Sequence, residues 1–504
     1  MPDLIRTLRN ADESVTGSFD RAFAPAGNPW RHLGALAFLC LVIAVASGII
    51  AYALYDTSVS GAYASGRRLQ QDPMLLGRLL RGLHRYSADG FMVLTVLHLL
   101  REALRGHFLG VRWFSWLTGI PLVWMLWIAG ITGLWLLGDE RALFSVTATA
   151  EWLQALPLAP ELLARNFLTP GALNDRFFSL IMFIHIGMPL LLLAAVWIHV
   201  QRVSQVRIWP PRALAIGSIA MLGILALGVP AESLGPANTG RVAATISLDW
   251  FYQFAHPLVD ASSAQAVWLI AAALTALLAL LPLLPPQAGV AQTAARVDLA
   301  NCNGCARCAA DCPFGAVVMV PRTDLRPHPR QASVIEALCA ACGICVGACP
   351  SSTPFRSVQD LVSGIELPEI PIAGLRQQLQ HSLAALTDSP KILLFTCQQA
   401  AGFHSLADAA TAVMPMACAG MVPPSFTEYA LRSGADGVVI AGCREGDCEF
   451  RLGDRWVEER FAGVREPRLR ITVPRDRIAV TWSGRDREHV RNTLTSMRAK
   501  LQHA

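Results

Sequence analysis

The chain has 504 residues, 53% of them hydrophobic, with a mean hydropathy of +0.41. That excludes a disordered polypeptide and leaves room for about three or four domains. Lysine and arginine number 42 against 37 acids, so the net charge of +5 gives no ground for a nucleic-acid partner.

These averages cover two unlike halves. Residues 1–29 mix acids with bases and have no early apolar core, so they do not read as a cleaved signal peptide; a helix along the membrane surface is expected, a disordered segment being the other reading. Residues 30–285 contain six apolar stretches, at 33–54, 86–100, 114–138, 177–200, 213–230 and 264–284, most of them long enough to cross about 30 Å of hydrocarbon. The second is short only because polar residues surround His84. After Pro285 and Pro286 the chain becomes polar and cysteine-rich, as a soluble module does.

The membrane half has no lysine, so arginine placement sets the orientation. The loops after the second and fourth stretches carry Arg101, Arg105, Arg112, Arg202, Arg207 and Arg212, offset only by Glu102, which puts both termini in the cytoplasm.

Four histidines organise this half. His84 and His98 share the second stretch, His185 and His199 the fourth, and each pair is 14 residues apart. Fourteen helical steps return to within roughly 40° of the starting direction and climb about 21 Å, so each helix offers two imidazoles on one face at two depths. Two such helices facing one another supply what two stacked six-coordinate haems need. A lone histidine in an apolar helix reads as a satisfied core residue; four at two identical spacings read as ligands.

On these residues, positions 25–285 resemble cytochrome b of the quinol-oxidising bc complexes. The family's glycines, which let a haem lie flat on helix backbone, match Gly34 and Gly48 in the first helix and Gly119 and Gly133 in the third. The resemblance implies two haems b, with Arg81 and Arg101 on their propionates; Pro189 also fits. With the orientation above, His84 and His185 serve the outer haem and His98 and His199 the inner one.

Residues 236–254 and the helix after them resemble the family's outer quinone pocket, with Leu248, Asp249, Trp250 and Phe251 standing where it has Pro-Glu-Trp-Tyr. Asp249 is therefore a candidate for exchanging a proton with quinone; the other reading is a helix cap. At the inner pocket the family's usual histidine is replaced by Ser204.

Of 13 cysteines, Cys40 reads as a small buried apolar residue. Residues 302–313 and 339–350 both follow the C-x2-C-x2-C-x3-C-P run, in which three thiolates hold one cubane and the fourth serves the other. That assigns Cys302, Cys305, Cys308 and Cys349 to one 4Fe-4S cluster and Cys339, Cys342, Cys345 and Cys312 to a second, in a segment that resembles two-cluster ferredoxins. The spacing is not that of zinc sites, and cytoplasmic placement disfavours disulfides.

A connector with one helix around Leu375–Leu386 is expected at 358–389. From 390 the chain alternates KILLFTC, a helical SLADAATAV, a helix near SFTEYALRSG, GVVIAGC and a final helix from about 487, the pattern of a small α/β domain with a largely parallel sheet. Cys397, Cys418, Cys443 and Cys448 fall at the carboxyl ends of its strands or in the loops beyond, where loops converge. GADGVVIAGCREGDC resembles the delta subunit of methyl-viologen-reducing hydrogenase, over 390–504. That resemblance implies a 2Fe-2S cluster on the four cysteines; reduced structural cysteines or zinc are the other readings. Here Gln398, Gln399 and Ala400 replace extra cysteines common in that family.

The expected architecture is an all-α transmembrane bundle of about six helices (30–285), a two-cluster ferredoxin module (286–357), the connector, and a small α/β domain (390–504). The expected function is a bacterial inner-membrane oxidoreductase subunit, its iron-sulfur domains facing the cytoplasm and possible as a homodimer. It passes electrons between a cytoplasmic partner, such as a flavoprotein dehydrogenase or a heterodisulfide-reductase-like protein, and the quinone pool. Quinone reduction is the favoured direction, because ferredoxin-type clusters commonly sit at low potential. Quinol-driven reduction of the partner and a non-catalytic membrane anchor or relay are the alternatives.

Overall fold

The computed structural model describes residues 2–156, 174–240, 245–284, 293–324, 326–356, 361–400 and 403–502. The chain divides into two compact units, residues 1–201 with 206–286 and residues 202–205 with 287–504. The boundaries expected at 285–286 and 357–358 lie outside the described residues.

In the first unit, α1 (Pro2–Gly27) is kinked at Ala24 and is followed by α2 (Leu33–Ala53), α3 (Ala62–Gln70), α4 (Leu76–Leu104), α5 (Trp113–Trp135) and α6 (Glu140–Gln154). Next come α7 (Asp175–His199), α8 (Arg212–Gly228), α9 (Ala255–Ala261) and α10 (Ala264–Leu280). The six apolar stretches correspond to α2, α4, α5, α7, α8 and α10. Among the described residues, four helical segments are long and apolar enough to span a membrane: Pro29–Ala53, Gly110–Trp135, Asp175–His199 and Ala264–Leu283. α8 is shorter. α4 is long, at 29 residues, because the helix continues through the polar turn that carries Arg81 and His84.

Their outward faces stay apolar, with Phe183, Ile216, Ile224 and Leu269 at least two-thirds exposed, as lipid contact requires. α2 packs along α4 and α5 along α7. α1 is tied down through Asp12, whose carboxylate accepts from Trp30 Nε1 (2.8 Å) and lies 3.7 Å from Arg101 Nε.

In the second unit, β1 (Arg296–Val297), α11 (Arg307–Asp311), β2 (Val317–Pro321), β3 (Arg330–Val334), α12 (Ile344–Ala348) and β4 (Ile365–Glu366) build the cysteine-rich module. β2 pairs antiparallel with β3, and β4 returns to pair antiparallel with β1. α13 (Ile372–Ala384) buries Leu375, Leu379 and Leu383 in the core of the next domain.

That domain comprises β5 (Ile392–Cys397), β6 (Thr411–Met416), α14 (Pro424–Arg432), β7 (Gly437–Gly442), α15 (Gly453–Ala462), β8 (Ile478–Trp482) and α16 (Arg487–Gln502). Its sheet is wholly parallel in the order β6-β5-β7-β8. β5 and β7 are buried along their whole length, which is why they read as continuous apolar runs. The stretch expected to be helical, SLADAATAV, instead gives a short turn at Phe403–Leu406 and then strand β6. Its helix-forming alanines are overridden by pairing with β5, a tertiary effect that outweighs local propensity.

Candidate functional site

In the first unit the four histidines sit against four glycines. A Cβ built on Gly48 would lie 2.9 Å from His84 Cε1, on Gly34 3.4 Å from His98 Cε1, on Gly133 2.8 Å from His185 Cε1 and on Gly119 3.2 Å from His199 Cε1. Each imidazole of α4 thus meets a bare patch of α2 backbone, and each of α7 a bare patch of α5. The rings of His84 and His185 face one another across the helix pairs with centroids 6.1 Å apart. One iron bonded to both rings needs a separation of roughly 6 Å.

The Nδ1 atoms are already engaged. His84 Nδ1 is 2.8 Å from Ala44 O and His185 Nδ1 is 2.9 Å from Ala129 O. Hydroxyls stand beside them: Ser47 Oγ is 3.4 Å from His84 Nδ1, Thr132 Oγ1 is 3.4 Å from His185 Nδ1, and Thr118 Oγ1 is 3.2 Å from His199 Nδ1. An Nδ1–H held by an oxygen fixes the tautomer that leaves Nε2 as the ligating nitrogen. The fourth histidine differs, because Leu33 precedes Gly34; His98 Nδ1 instead faces Glu102 Oε1 at 4.0 Å. These features fit haem: bare backbone to lie against, oriented imidazoles and a matching separation.

Arg81 donates to Gly66 O (3.0 Å), Gln70 Oε1 (3.2 Å) and Ser233 Oγ (2.7 Å), and Arg101 is buried near Asp12. Asp249 is buried. Its Oδ1 accepts from Phe251 N (3.0 Å) and Tyr252 N (2.7 Å), the capping arrangement, while Oδ2 takes a hydrogen bond from Arg85. Arg85 Nε also lies 3.1 Å from Asp89 Oδ2, and the Tyr252 ring occupies space that a Cβ on Gly130 would fill. Arg85, Asp89, Gly130 and Tyr252 were not singled out by the sequence reading; a charged pair one turn apart inside an apolar helix was the available signal.

In the second unit, Cys302, Cys305, Cys308 and Cys349 line one cavity together with Gly304 and Ile365. Cys312, Cys339, Cys342 and Cys345 line another with Phe314 and Leu367. Burial and the neighbouring thiols push Cys308 up to about 12, and burial raises Cys342 and Cys345 far above the usual thiol range. Such crowded thiols call for a cationic centre to hold them ionised. Each cavity is lined by four thiols, the donor set that a cubane takes.

The four later cysteines form a ring at the carboxyl edge of the parallel sheet. Cys397 Sγ is 3.9 Å from Cys443 Sγ, and a Cβ on Gly453 would sit 2.4 Å from Cys418 Sγ and 3.1 Å from Cys448 Sγ. Hydrogen bonds from Cys418 and Cys443 hold the Cys397 thiol well below its ordinary range, and the same contacts keep Cys418 and Cys443 protonated. Cys448 is lowered by its bond with Cys418 but raised more by Cys443 and burial, to about 12. These four sulfurs are of the donor type that iron takes.

Residues 20–206 match the family Cytochrome b/b6/petB, residues 301–353 a 4Fe-4S dicluster domain, and residues 393–504 the methyl-viologen-reducing hydrogenase delta subunit. Cytochrome b6 of Euglena gracilis is 31% identical over 164 residues, covering 32% of this chain and 76% of that protein. Cytochrome b6 of Prochlorothrix hollandica is 28% identical over 177 residues, covering 34% and 79%. A solved chain titled "Hyperthermophilic respiratory Complex III" aligns with a TM-score of 0.42 at 20% identity, over 50% of this chain and 75% of that one. Haem b and 4Fe-4S clusters are accordingly the cofactors of this multi-pass membrane protein. Through its membrane part the chain belongs to the cytochrome b/b6 family, with a 4Fe-4S dicluster domain and a hydrogenase-delta-type domain continuing the same polypeptide.

Proposed function

We propose that the chain is a subunit of an inner-membrane oxidoreductase that exchanges electrons between a soluble cytoplasmic redox protein and the quinone pool, with quinone reduction the favoured direction. The observation that carries this reading is the coexistence, in one polypeptide, of glycine-backed imidazoles in the membrane unit and three sets of four cysteines in the other. Haem and iron-sulfur centres move electrons singly, whereas quinone takes two electrons and two protons.

The residues divide the work. His84 with His185 and His98 with His199 provide axial nitrogens, oriented by the carbonyls and hydroxyls behind them. Cys302, Cys305, Cys308 and Cys349 hold one cubane and Cys312, Cys339, Cys342 and Cys345 the other, while Cys397, Cys418, Cys443 and Cys448 hold a 2Fe-2S centre, the entry point for the partner. Arg101 and Arg81 face propionates; Arg81 keeps this role only if it gives up some of its present acceptors. Asp249 holds or releases a proton beside the outer quinone pocket, where Arg85 donates to its Oδ2.

Anaerobic stopped-flow absorbance of the dithionite-reduced protein mixed with a soluble quinone tests this. Haem reoxidation that accelerates with quinone concentration is expected. A second reading, a non-catalytic anchor or relay, draws on the observation that both oxygens of Asp249 are committed to protein partners; haems that stay reduced would establish it.

A further inference from the structure

Between the dicluster module and the α/β domain lies a buried ionic clamp. Arg460 of α15 is fully buried and donates through Nη2 to Asp311 Oδ2 (2.6 Å) and through Nη1 to Gly420 O (2.8 Å). Arg465 Nη1 donates to Asp311 Oδ1 (2.7 Å) and its guanidinium lies 3.4 Å from the centre of the Trp456 ring, whose Nε1 donates to Asp311 O (3.0 Å). Breaking such a pair strands a charge without water, so the geometry is strongly held.

The clamp joins particular sites. Asp311 precedes Cys312, Ile344, whose carbonyl also accepts from Arg460 Nη2 (3.4 Å), precedes Cys345, and Gly420 follows Cys418 by two residues. The chains approach without side chains between them: a Cβ on Gly347 would lie 2.3 Å from Gly420 O and 2.6 Å from Arg460 Nη1, and one on Gly343 2.6 Å from Met421 Sδ.

We propose that Arg460 is the positioning residue that docks the Cys397/Cys418/Cys443/Cys448 centre onto the Cys312/Cys339/Cys342/Cys345 site. Electrons between the α/β domain and the dicluster module therefore pass through that site and not through the one on Cys302, Cys305, Cys308 and Cys349. One electron leaves the reduced centre and reduces its neighbour; no bond forms or breaks and no proton is needed. The inference rests on the reading that the last four cysteines hold an iron-sulfur centre.

Electron paramagnetic resonance of the reduced, full-length, detergent-solubilised protein tests it, because neighbouring reduced centres split one another's signals. The splitting read is that on the third centre's own signal: Cys443→Ser should remove that signal, Cys339→Ser should leave it unsplit, and Cys302→Ser should leave it split. Arg460→Lys, which keeps the charge but not the two-pronged fork, should weaken it with iron content unchanged; the double variant Arg460→Met/Asp311→Leu removes both buried charges and should do the same. Splitting lost in Cys302→Ser but kept in Cys339→Ser overturns the neighbour assignment, and full splitting in both clamp variants overturns the role of Arg460. Absence of any third signal, with iron short of that centre, defeats the underlying reading and this inference with it; a third signal without splitting defeats the inference alone. The cysteine variants decide the neighbour relation even if an Arg460 variant fails to fold.

Discussion

Gly48 of α2 lies directly against the imidazole of His84 in α4, so closely that one added methyl would sit 2.9 Å from Cε1. Neither backbone can retreat cheaply, because the two helices pack along one another. Gly48→Val should therefore displace the ring, and with it the outer haem, while leaving His98 and His199 untouched. Haem content should fall by about half, with the iron-sulfur signals retained. A variant that keeps both haems would show that the glycine is not needed for the site, and Gly133→Val on the opposite helix pair is the matching control.

Asp249 serves two structural purposes at once, and they can be separated. Asp249→Asn keeps an oxygen for the backbone N–H groups of Phe251 and Tyr252 but leaves the buried part of Arg85 with only Asp89 as its carboxylate partner. Removing one member of a buried pair costs about 3–5 kcal/mol, less here because Asp89 remains. Asp249→Ala loses the cap too, about 1 kcal/mol more. With both haems intact, Asn should slow quinone turnover; unchanged turnover would take Asp249 out of the proton path.

What was legible in the sequence is what repeats locally. The 14-residue spacing of histidines and glycines and the duplicated C-x2-C-x2-C-x3-C-P run declare themselves because helix periodicity and cluster geometry fix the intervals. Even the hydroxyl before three of the four glycines, at Ser47, Thr118 and Thr132, was there to be read. The partners that finish each site were not: Arg85 meets Asp249 across 164 positions and Arg460 meets Asp311 across 149, and a single sequence carries no trace of such pairings. Strand β6 was hidden for the same reason, since its pairing with β5 is what makes an alanine-rich segment extended.

Thr118 offers a milder test at the inner haem. Its hydroxyl is 3.2 Å from His199 Nδ1, and a neutral hydrogen bond of about 1 kcal/mol corresponds to roughly 40 mV for a one-electron couple. Thr118→Ala makes the imidazole a weaker donor to iron, so the inner haem's midpoint should rise by up to that amount in a redox titration. An outer-haem shift of equal size would mean that the effect is not local.

Gly453 opens α15 under the last cysteine ring, where a Cβ would lie 2.4 Å from Cys418 Sγ and 3.1 Å from Cys448 Sγ. Gly453→Ala should therefore empty or distort that site alone. Both 4Fe-4S signals should remain, and iron per chain should drop by the amount the third centre holds. Retention of all the iron would show that the glycine is not needed for the site.

Loading that ring must also release acid. Cys418 and Cys443 are held protonated and Cys448 is pushed up to about 12, whereas Cys397 is held below its ordinary range by the hydrogen bonds from Cys418 and Cys443. A thiol whose folded value is raised favours the metal-free fold below the ordinary thiol range, and that advantage fades as pH climbs toward about 12. Metal binding has the opposite dependence, because each ligand must lose its proton first. Apparent affinity for iron should thus strengthen as pH rises from 7 to 9. Reconstitution of the metal-free protein in a pH-stat should release more acid than it does in Cys418→Ser, which has one thiol fewer to ionise at this ring. Uptake independent of pH would mean that these four sulfurs do not bind metal as thiolates.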